Sequence, residues 1–305
     1  MQTKQQLQQL LTGAGVQPNK QLGQHFLIDL NLMRLLIHEA AIEEQDTVLE
    51  VGCGTGSLTE ALAERGARVI AAELDRTLAR IAADRLANRP NVTIIQTDIL
   101  HTKHVLCPRV IEAVNASLHS RPGRLLLVAN LPYHVGSPVM LNLISGPLVA
   151  HAMVVTVQKE VARRMLAGTG SRDYGALGII LGATGQTRMI RVLKPDVFWP
   201  KPAVDSAIVA YQRDPERIQA IDSQAVLGAV VDLMMQHRRK MLKAAVRFAR
   251  APLDPIRDWN ALFEHCRLDP TWRPDRISPD QYVHLANHIT KILEQTGHRP
   301  CNSLE

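Results

Sequence analysis

The sequence predicts an α/β fold, in which a parallel sheet covered by helices on both faces precedes a smaller all-helical domain. Three observations carry this. Five nearly continuous apolar runs, at 47–52, 67–74, 92–98, 124–130 and 152–158, alternate with stretches of helical period. A glycine-rich turn follows the first of them. From about residue 215 the strand signal ends, and helical segments separated by Pro-containing turns continue to about residue 295.

Taken in order, residues 4–11 have helical spacing and 13–27 read as a loop. Residues 30–42 form an amphipathic helix with Leu32, Leu35, Leu36 and Ile42 on its apolar face. Helices at 58–66 and 76–88 join the first three strands. After the fifth strand come two helices, EVARRMLAG and ALGIILGATG, and then TRMIRVL and SAIVAYQR, which fit a hairpin closing the sheet edge. The expected domains are 1–213 for the sheet, 214–295 for the helical part and 296–305 as a disordered tail.

Composition narrows the class. A net charge of +6 leans toward polyanionic partners. No run of 18 apolar residues offers a membrane span, and MQTKQQLQQLL lacks the order of a secretory signal. Cys53, Cys107, Cys266 and Cys301 have no paired spacing, which suits a reducing cytoplasm. His101, His104 and Cys107 have helical spacing, but a metal site also needs partners that orient its ligands, and a solvated helix or loop is the reading preferred, so no metal is expected. Asp205-Ser206 reads as a turn before a strand.

The first chemical site is the turn Glu50-Val51-Gly52-Cys53-Gly54-Thr55-Gly56. Alternating glycines let backbone approach a ligand closely. Glu73 closes the second strand, where a carboxylate accepts hydrogen bonds from ribose hydroxyls, and Asp98 closes the third. Ser57 stands where a dinucleotide fingerprint wants its third glycine. The acidic crevice of Glu50, Glu73 and Asp98 suits a ligand with a cationic centre, such as S-adenosylmethionine, better than a pyrophosphate.

Asn130-Leu131-Pro132-Tyr133 closes the fourth strand at the same edge. The lone pair of an adenine amine is delocalised into its ring. Two acceptors on that amine, the Asn130 side-chain oxygen and the Leu131 carbonyl, favour a pyramidal, nucleophilic nitrogen. Pro132 fixes the backbone that aims the carbonyl, and Tyr133 can stack on the base.

These segments, with Gln21-Leu22-Gly23-Gln24-His25-Phe26-Leu27, Phe198-Trp199-Pro200-Lys201-Pro202 and Gln236-His237-Arg238-Arg239-Lys240, come in one order. The chain resembles the ribosomal RNA adenine dimethyltransferase family from about residue 14 to 290, specifically its small-subunit branch. The resemblance implies a Rossmann-like, S-adenosylmethionine-dependent methyltransferase sheet. It also implies N6,N6-dimethylation of adjacent adenines in a hairpin near the 3′ end of small-subunit rRNA, by a monomer acting on a pre-30S particle. By the same resemblance His25, Leu27, Gly52, Gly54, Glu73, Asp98 and Asn130 hold the cofactor. Asn130, Leu131, Pro132 and Tyr133 hold the adenine, and Phe198 stacks on its other side. Many members have asparagine where His25 stands; histidine is expected to keep the role of donor to the methionine carboxylate. The alternatives are a large-subunit rRNA adenine methyltransferase and a non-catalytic assembly or transcription factor that kept the fold.

One run lies outside the cofactor motifs. Between Asp232 and Asp254 stand Arg238, Arg239, Lys240, Lys243, Arg247 and Arg250 without an acid. A single helix through them puts Arg239, Lys243, Arg247 and Arg250 on one face, and Met234, Met241, Ala245 and Phe248 on another. That basic face is expected to contact RNA phosphates.

Overall fold

The structure, a computed structural model, describes residues 1–19, 23–102 and 105–297. Gln21, Leu22, His104 and most of the expected tail (298–305) lie outside the described residues. The chain divides into two compact units, 1–162 with 188–212, and 163–187 with 213–305.

The first unit is built on a seven-stranded sheet. Its strands are β1 (Thr47–Val51), β2 (Arg68–Glu73), β3 (Val92–Gln96), β4 (Leu125–Asn130), β5 (Ala152–Gln158), β6 (Gly185–Leu193) and β7 (Ser206–Arg213). Their order is β3-β2-β1-β4-β5-β7-β6. The first five pair in parallel, β7 runs antiparallel to β5, and β6 lies beside β7 at that edge, the two segments expected to close it. Every residue of β1 is buried, as is β4 up to Val128 and Ala129, because helices cover both faces. The order reverses between β1 and β4, and that switch opens a crevice at the carboxyl ends of both strands.

Helices of this unit are α1 (Lys4–Gly13), α2 (Leu30–Glu39), α3 (Ser57–Ala63), α4 (Arg76–Leu86), α5 (Pro108–Ser120) and α6 (Gly136–Ser145). Asp29 caps α2 and Asp75 caps α4 through their carboxylates, which stops each preceding loop at a defined residue. Leu36, Leu62, Val69, Val128 and Ile208 share one core cluster, so α2 and α3 pack onto the sheet. α7 (Lys159–Leu166) follows β5 and crosses the boundary between the units.

The second unit is helical: α8 (Ala176–Thr184), α9 (Pro215–Gln219), α10 (Gln224–Gln236), α11 (Leu242–Ala245), α12 (Trp259–His265) and α13 (Pro279–Gln295). It begins earlier than the composition shift at 214 suggests. The α8 segment is apolar nearly all round and packs on α10 and α13, which draws 163–187 out of the sheet unit. Ser278 and Gln281 form a capping box at the start of α13, whose buried stripe runs through Tyr282, Leu285, Ala286, Ile289 and Leu293.

The basic run is not one helix. α10 ends at Gln236, Arg238 to Lys240 form a turn, and only the short α11 and a single 3-10 turn (Val246–Phe248) follow. The N–H groups of Leu242 and Lys243 donate to the Trp272 and Pro270 carbonyls, so the helical ladder is interrupted there. Met241 and Phe248, expected on an apolar face, are exposed.

Candidate active site

The loop after β1 can only be glycine-rich. Gly52, Gly54 and Gly56 have φ of 76°, 58° and 79°, a region that costs other residues about 1–2 kcal/mol. Space adds a second demand. A Cβ on Gly52 would lie 2.8 Å from the Pro132 ring, and one on Gly54 would lie 2.9 Å from the Phe26 ring. The loop therefore nests between the Asn-Leu-Pro-Tyr turn on one side and the N-terminal segment on the other.

Glu73 ties this loop to the end of β2. One carboxylate oxygen accepts the Gly54 N–H at 2.8 Å and the other accepts the Asp75 N–H at 2.9 Å. Burial pushes its pKa up, while these N–H groups pull it down. Each oxygen keeps a further lone pair for a ligand hydroxyl.

The cleft in front of Glu73 encloses about 760 Å³ including its mouth. His25, Gly52, Gly54, Glu73, Asp98 and Asn130 all line it, and so do Leu131, Pro132 and Tyr133. Asp98 lies two residues beyond β3 instead of closing it, and its carboxylate accepts the Leu100 N–H at 2.9 Å.

Asn130 is oriented by its neighbours. Its Nδ2 donates to the His25 carbonyl at 2.8 Å, which leaves Oδ1 as the atom available to a ligand donor. The Leu131 N–H is bonded to the Thr156 carbonyl and the Pro132 carbonyl accepts from Val135. Among the described residues no donor reaches the Leu131 carbonyl. The turn thus presents two free acceptors beside a ring, the Tyr133 phenol, whose hydroxyl lies 2.8 Å from Ser206 Oγ. Burial raises the Tyr133 pKa, so the phenol stays neutral.

Two expected residues are placed elsewhere. Phe198 is 1% exposed in the sheet core and does not line the cleft. A short antiparallel pair sets this: Phe198 is in register with Leu27, and Trp199 with Phe26. Alternation turns Leu27 and Phe198 inward together. Leu27 lines a smaller hollow with Gln2, Glu50 and Cys53, and Phe26 walls the cleft in its place. Phe26 and Ser206 are contributions that the sequence reading missed; for the first, the register of Phe26 on Trp199 decides, which two-residue pairs do not reveal.

Glu50 is also reassigned. It is 2% exposed, accepts the Thr59 hydroxyl at 2.6 Å, and lines the smaller hollow instead of the cleft. Burial, opposed by that hydrogen bond and helped by the charge of Glu73, pushes its pKa up to about 8. The negative character of the cleft therefore rests on Glu73 and Asp98. A carboxyl with a raised folded pKa stabilises the fold fully below about 4.5 and loses that contribution as pH rises through about 8. Wild type should lose stability across this window, relative to Glu50→Gln, with a slope approaching ~1.4 kcal/mol per pH unit. Denaturant titrations at pH 5 and pH 8 check this, and parallel profiles would show an ordinary carboxylate.

His25 Nδ1 lies 2.7 Å from the Pro200 carbonyl, an acceptor, so that nitrogen carries a proton. Its Nε2 can then donate to a ligand carboxylate only when the ring is doubly protonated. An asparagine amide has no such condition.

The donor set fits S-adenosylmethionine. The glycine cradle leaves room for close backbone approach, Glu73 offers paired acceptors to ribose hydroxyls, and the acids suit a sulfonium and an ammonium. Comparison with known proteins agrees with this chemistry. The family described as Ribosomal RNA adenine dimethylase matches residues 15–291. The chain is 34% identical over 281 residues to Ribosomal RNA small subunit methyltransferase A of Staphylococcus carnosus (strain TM300), covering 90% of this chain and 91% of that protein. It is 36% identical over 277 residues to the protein of the same name from Lactiplantibacillus plantarum, covering 90% and 91%. Among solved structures, a dimethyladenosine transferase from Plasmodium falciparum shares the fold, with TM-score 0.68 and 23% identity over 90% of this chain and 98% of that one. The 23S rRNA methyltransferase ErmE shares it as well, with TM-score 0.59 and 22% identity over 87% and 99%. Fold alone therefore does not separate the two ribosomal subunits as substrates. With the family's span covering the sheet, the glycine cradle and the Asn-Leu-Pro-Tyr turn, this chain belongs to the ribosomal RNA adenine dimethylase family.

Proposed function

We propose that this S-adenosylmethionine-dependent rRNA adenine dimethyltransferase acts on adjacent adenines in a hairpin near the 3′ end of small-subunit rRNA, as a monomer on a pre-30S particle in the cytoplasm. The single observation that carries the chemistry is the pair of free acceptors, Asn130 Oδ1 and the Leu131 carbonyl, on residues that line a glycine-cradled cleft. The small-subunit assignment rests on relatives that cover about nine-tenths of the chain. Among the described residues no helix is long and apolar enough to cross a membrane.

Gly52, Gly54, Glu73, Asp98 and His25 would hold S-adenosylmethionine, which supplies a methyl group already activated on a sulfonium. The chain's own residues then have a positioning task. Asn130 and Leu131 accept the two amine hydrogens and turn the nitrogen lone pair toward the cleft. Tyr133, held by Ser206, offers a face to the base, worth roughly 1–3 kcal/mol. Holding the amine in line supplies much of the rate. No strong base is needed, because the amine proton becomes acidic once the nitrogen is methylated. Incubating the protein with labelled S-adenosylmethionine and unmethylated small subunits, then analysing the nucleosides, should yield N6,N6-dimethyladenosine. Absence of label from the small-subunit RNA, with label appearing only when unmethylated large subunits are supplied in a parallel incubation, would overturn the reading.

The substrate grip is assigned to the second unit. Arg239, Lys243, Arg247 and Arg250 are exposed, although on a turn, two short helical pieces and the irregular segment after them instead of one helix. Phe248, 46% exposed, stacks on His237 at 4.1 Å and has the Lys240 ammonium 5.4 Å from its ring centre. Arginine and lysine suit phosphates, and a half-exposed aromatic ring suits unstacked bases. Splaying an adenine out of a stack costs a few kcal/mol, and such contacts help to supply it. Replacing Arg239, Lys243 and Arg247 together by alanine should weaken particle binding and flatten its salt dependence by very roughly one log–log unit per lost contact. Cofactor affinity should stay unchanged. A salt series decides it, and an unaltered slope would return these side chains to solvent.

A further inference from the structure

The second unit brings together a cysteine and histidines that the sequence keeps apart. Cys266 caps the carboxyl end of α12, while His284 and His288 stand one turn apart on α13. One ligand atom from each of the three lies within 4.8 Å of the others. His265, the last residue of α12, has its ring centre 4.1 Å from that of His288, whose ring is 4.5 Å from that of His284. We propose that Cys266, His284 and His288 bind a zinc ion, with His265 completing the coordination, and that this ion pins the end of α12 to α13.

The donor chemistry selects the ion. A thiol and imidazoles without a carboxylate suit a borderline-soft cation and not magnesium or calcium, which take oxygen ligands. Tetrahedral zinc places its ligand atoms on the order of 3–4 Å apart. The present spread closes with small rotations of His284, which is exposed, and His288, which is half-buried. Cys266 is 5% exposed and fixes the site from below.

Orientation is already set at one ligand. His288 Nδ1 lies 3.0 Å from the His284 carbonyl, so Nδ1 carries the proton and Nε2 keeps its lone pair for metal. A thiol must give up its proton to bind the metal, so affinity should rise with pH. The thiolate formed in that step offsets the nearby Lys291 and Arg267.

Cobalt(II) is the probe, added to full-length protein stripped of metal by chelator. One equivalent should give the visible absorption of a tetrahedral ion together with a thiolate charge-transfer band in the near ultraviolet, and zinc should displace both. The band should vanish in Cys266→Ser and persist in Cys107→Ser and Cys301→Ser. His288→Gln, a change at a half-buried position, should lower affinity at least tenfold without altering the fold. Zinc should raise the melting temperature of wild type and not that of Cys266→Ser. An octahedral spectrum, a charge-transfer band that survives in Cys266→Ser, or unaltered affinity in His288→Gln would each overturn the proposal.

Discussion

Asn130→Ala is expected to lower methyl transfer by on the order of 100-fold or more, the scale seen when one aimed polar group is removed from an active site. The loss should fall on turnover. With Nδ2 spent on the His25 carbonyl, Oδ1 is the atom left to accept from the amine in the proposed clamp, and alanine removes it. The Leu131 carbonyl remains, so the nitrogen keeps one of two partners and regains a flattened, delocalised geometry. Particle affinity should survive, because phosphate contacts dominate it. The variant also frees the His25 carbonyl, and calorimetry with S-adenosylmethionine separates that effect: a modest change in cofactor affinity beside a large loss of turnover is expected. Normal turnover would show that the two-acceptor clamp is not what activates the amine.

Glu73→Ala should weaken S-adenosylmethionine binding by roughly 1–3 kcal/mol, or about 5- to 150-fold. The variant loses more than a ribose acceptor. Glu73 accepts the N–H groups of both Gly54 and Asp75, so its removal leaves two donors unpaired and loosens the loop on which the cradle depends. Glu73→Gln isolates the ribose contribution, since its amide oxygen can retain one of the backbone bonds. It should bind more tightly than Glu73→Ala and less tightly than wild type. Unchanged calorimetric affinity in Glu73→Ala would mean that the ligand lies elsewhere in the cleft.

Much of this was legible in the sequence. The five parallel strands were visible because each is buried on both faces and so carries an unbroken apolar run, as TVLEV and LLLVAN do. The motifs at their carboxyl ends were visible because chain direction fixes which end of a parallel strand meets the crevice. Gly52 and Gly54 announced themselves by residue type, and their positive φ and close neighbours supply the reason.

What the tertiary structure alone decided depends on contacts between distant segments. The FL and FW pairs do not say which of their residues faces inward; the register of Phe198 on Leu27 does, and it removes both from the cleft. The acidity of Glu50 looks the same in the sequence as that of Glu73. Burial raises the pKa of both, to about 8 at Glu50 against the Thr59 hydrogen bond, while at Glu73 the Asp75 and Gly54 N–H groups oppose the rise. An acid-free basic run suggested one helix by its period, yet carbonyls from Pro270 and Trp272 capture the backbone N–H groups that would have continued it. Cys266 and the His284–His288 pair are separated by a loop and a turn of 3-10 helix, and only the packing of α12 on α13 makes them neighbours. Period and residue type report what a segment does within a few residues of itself. Burial, register and shared ligands are set by what folds against it.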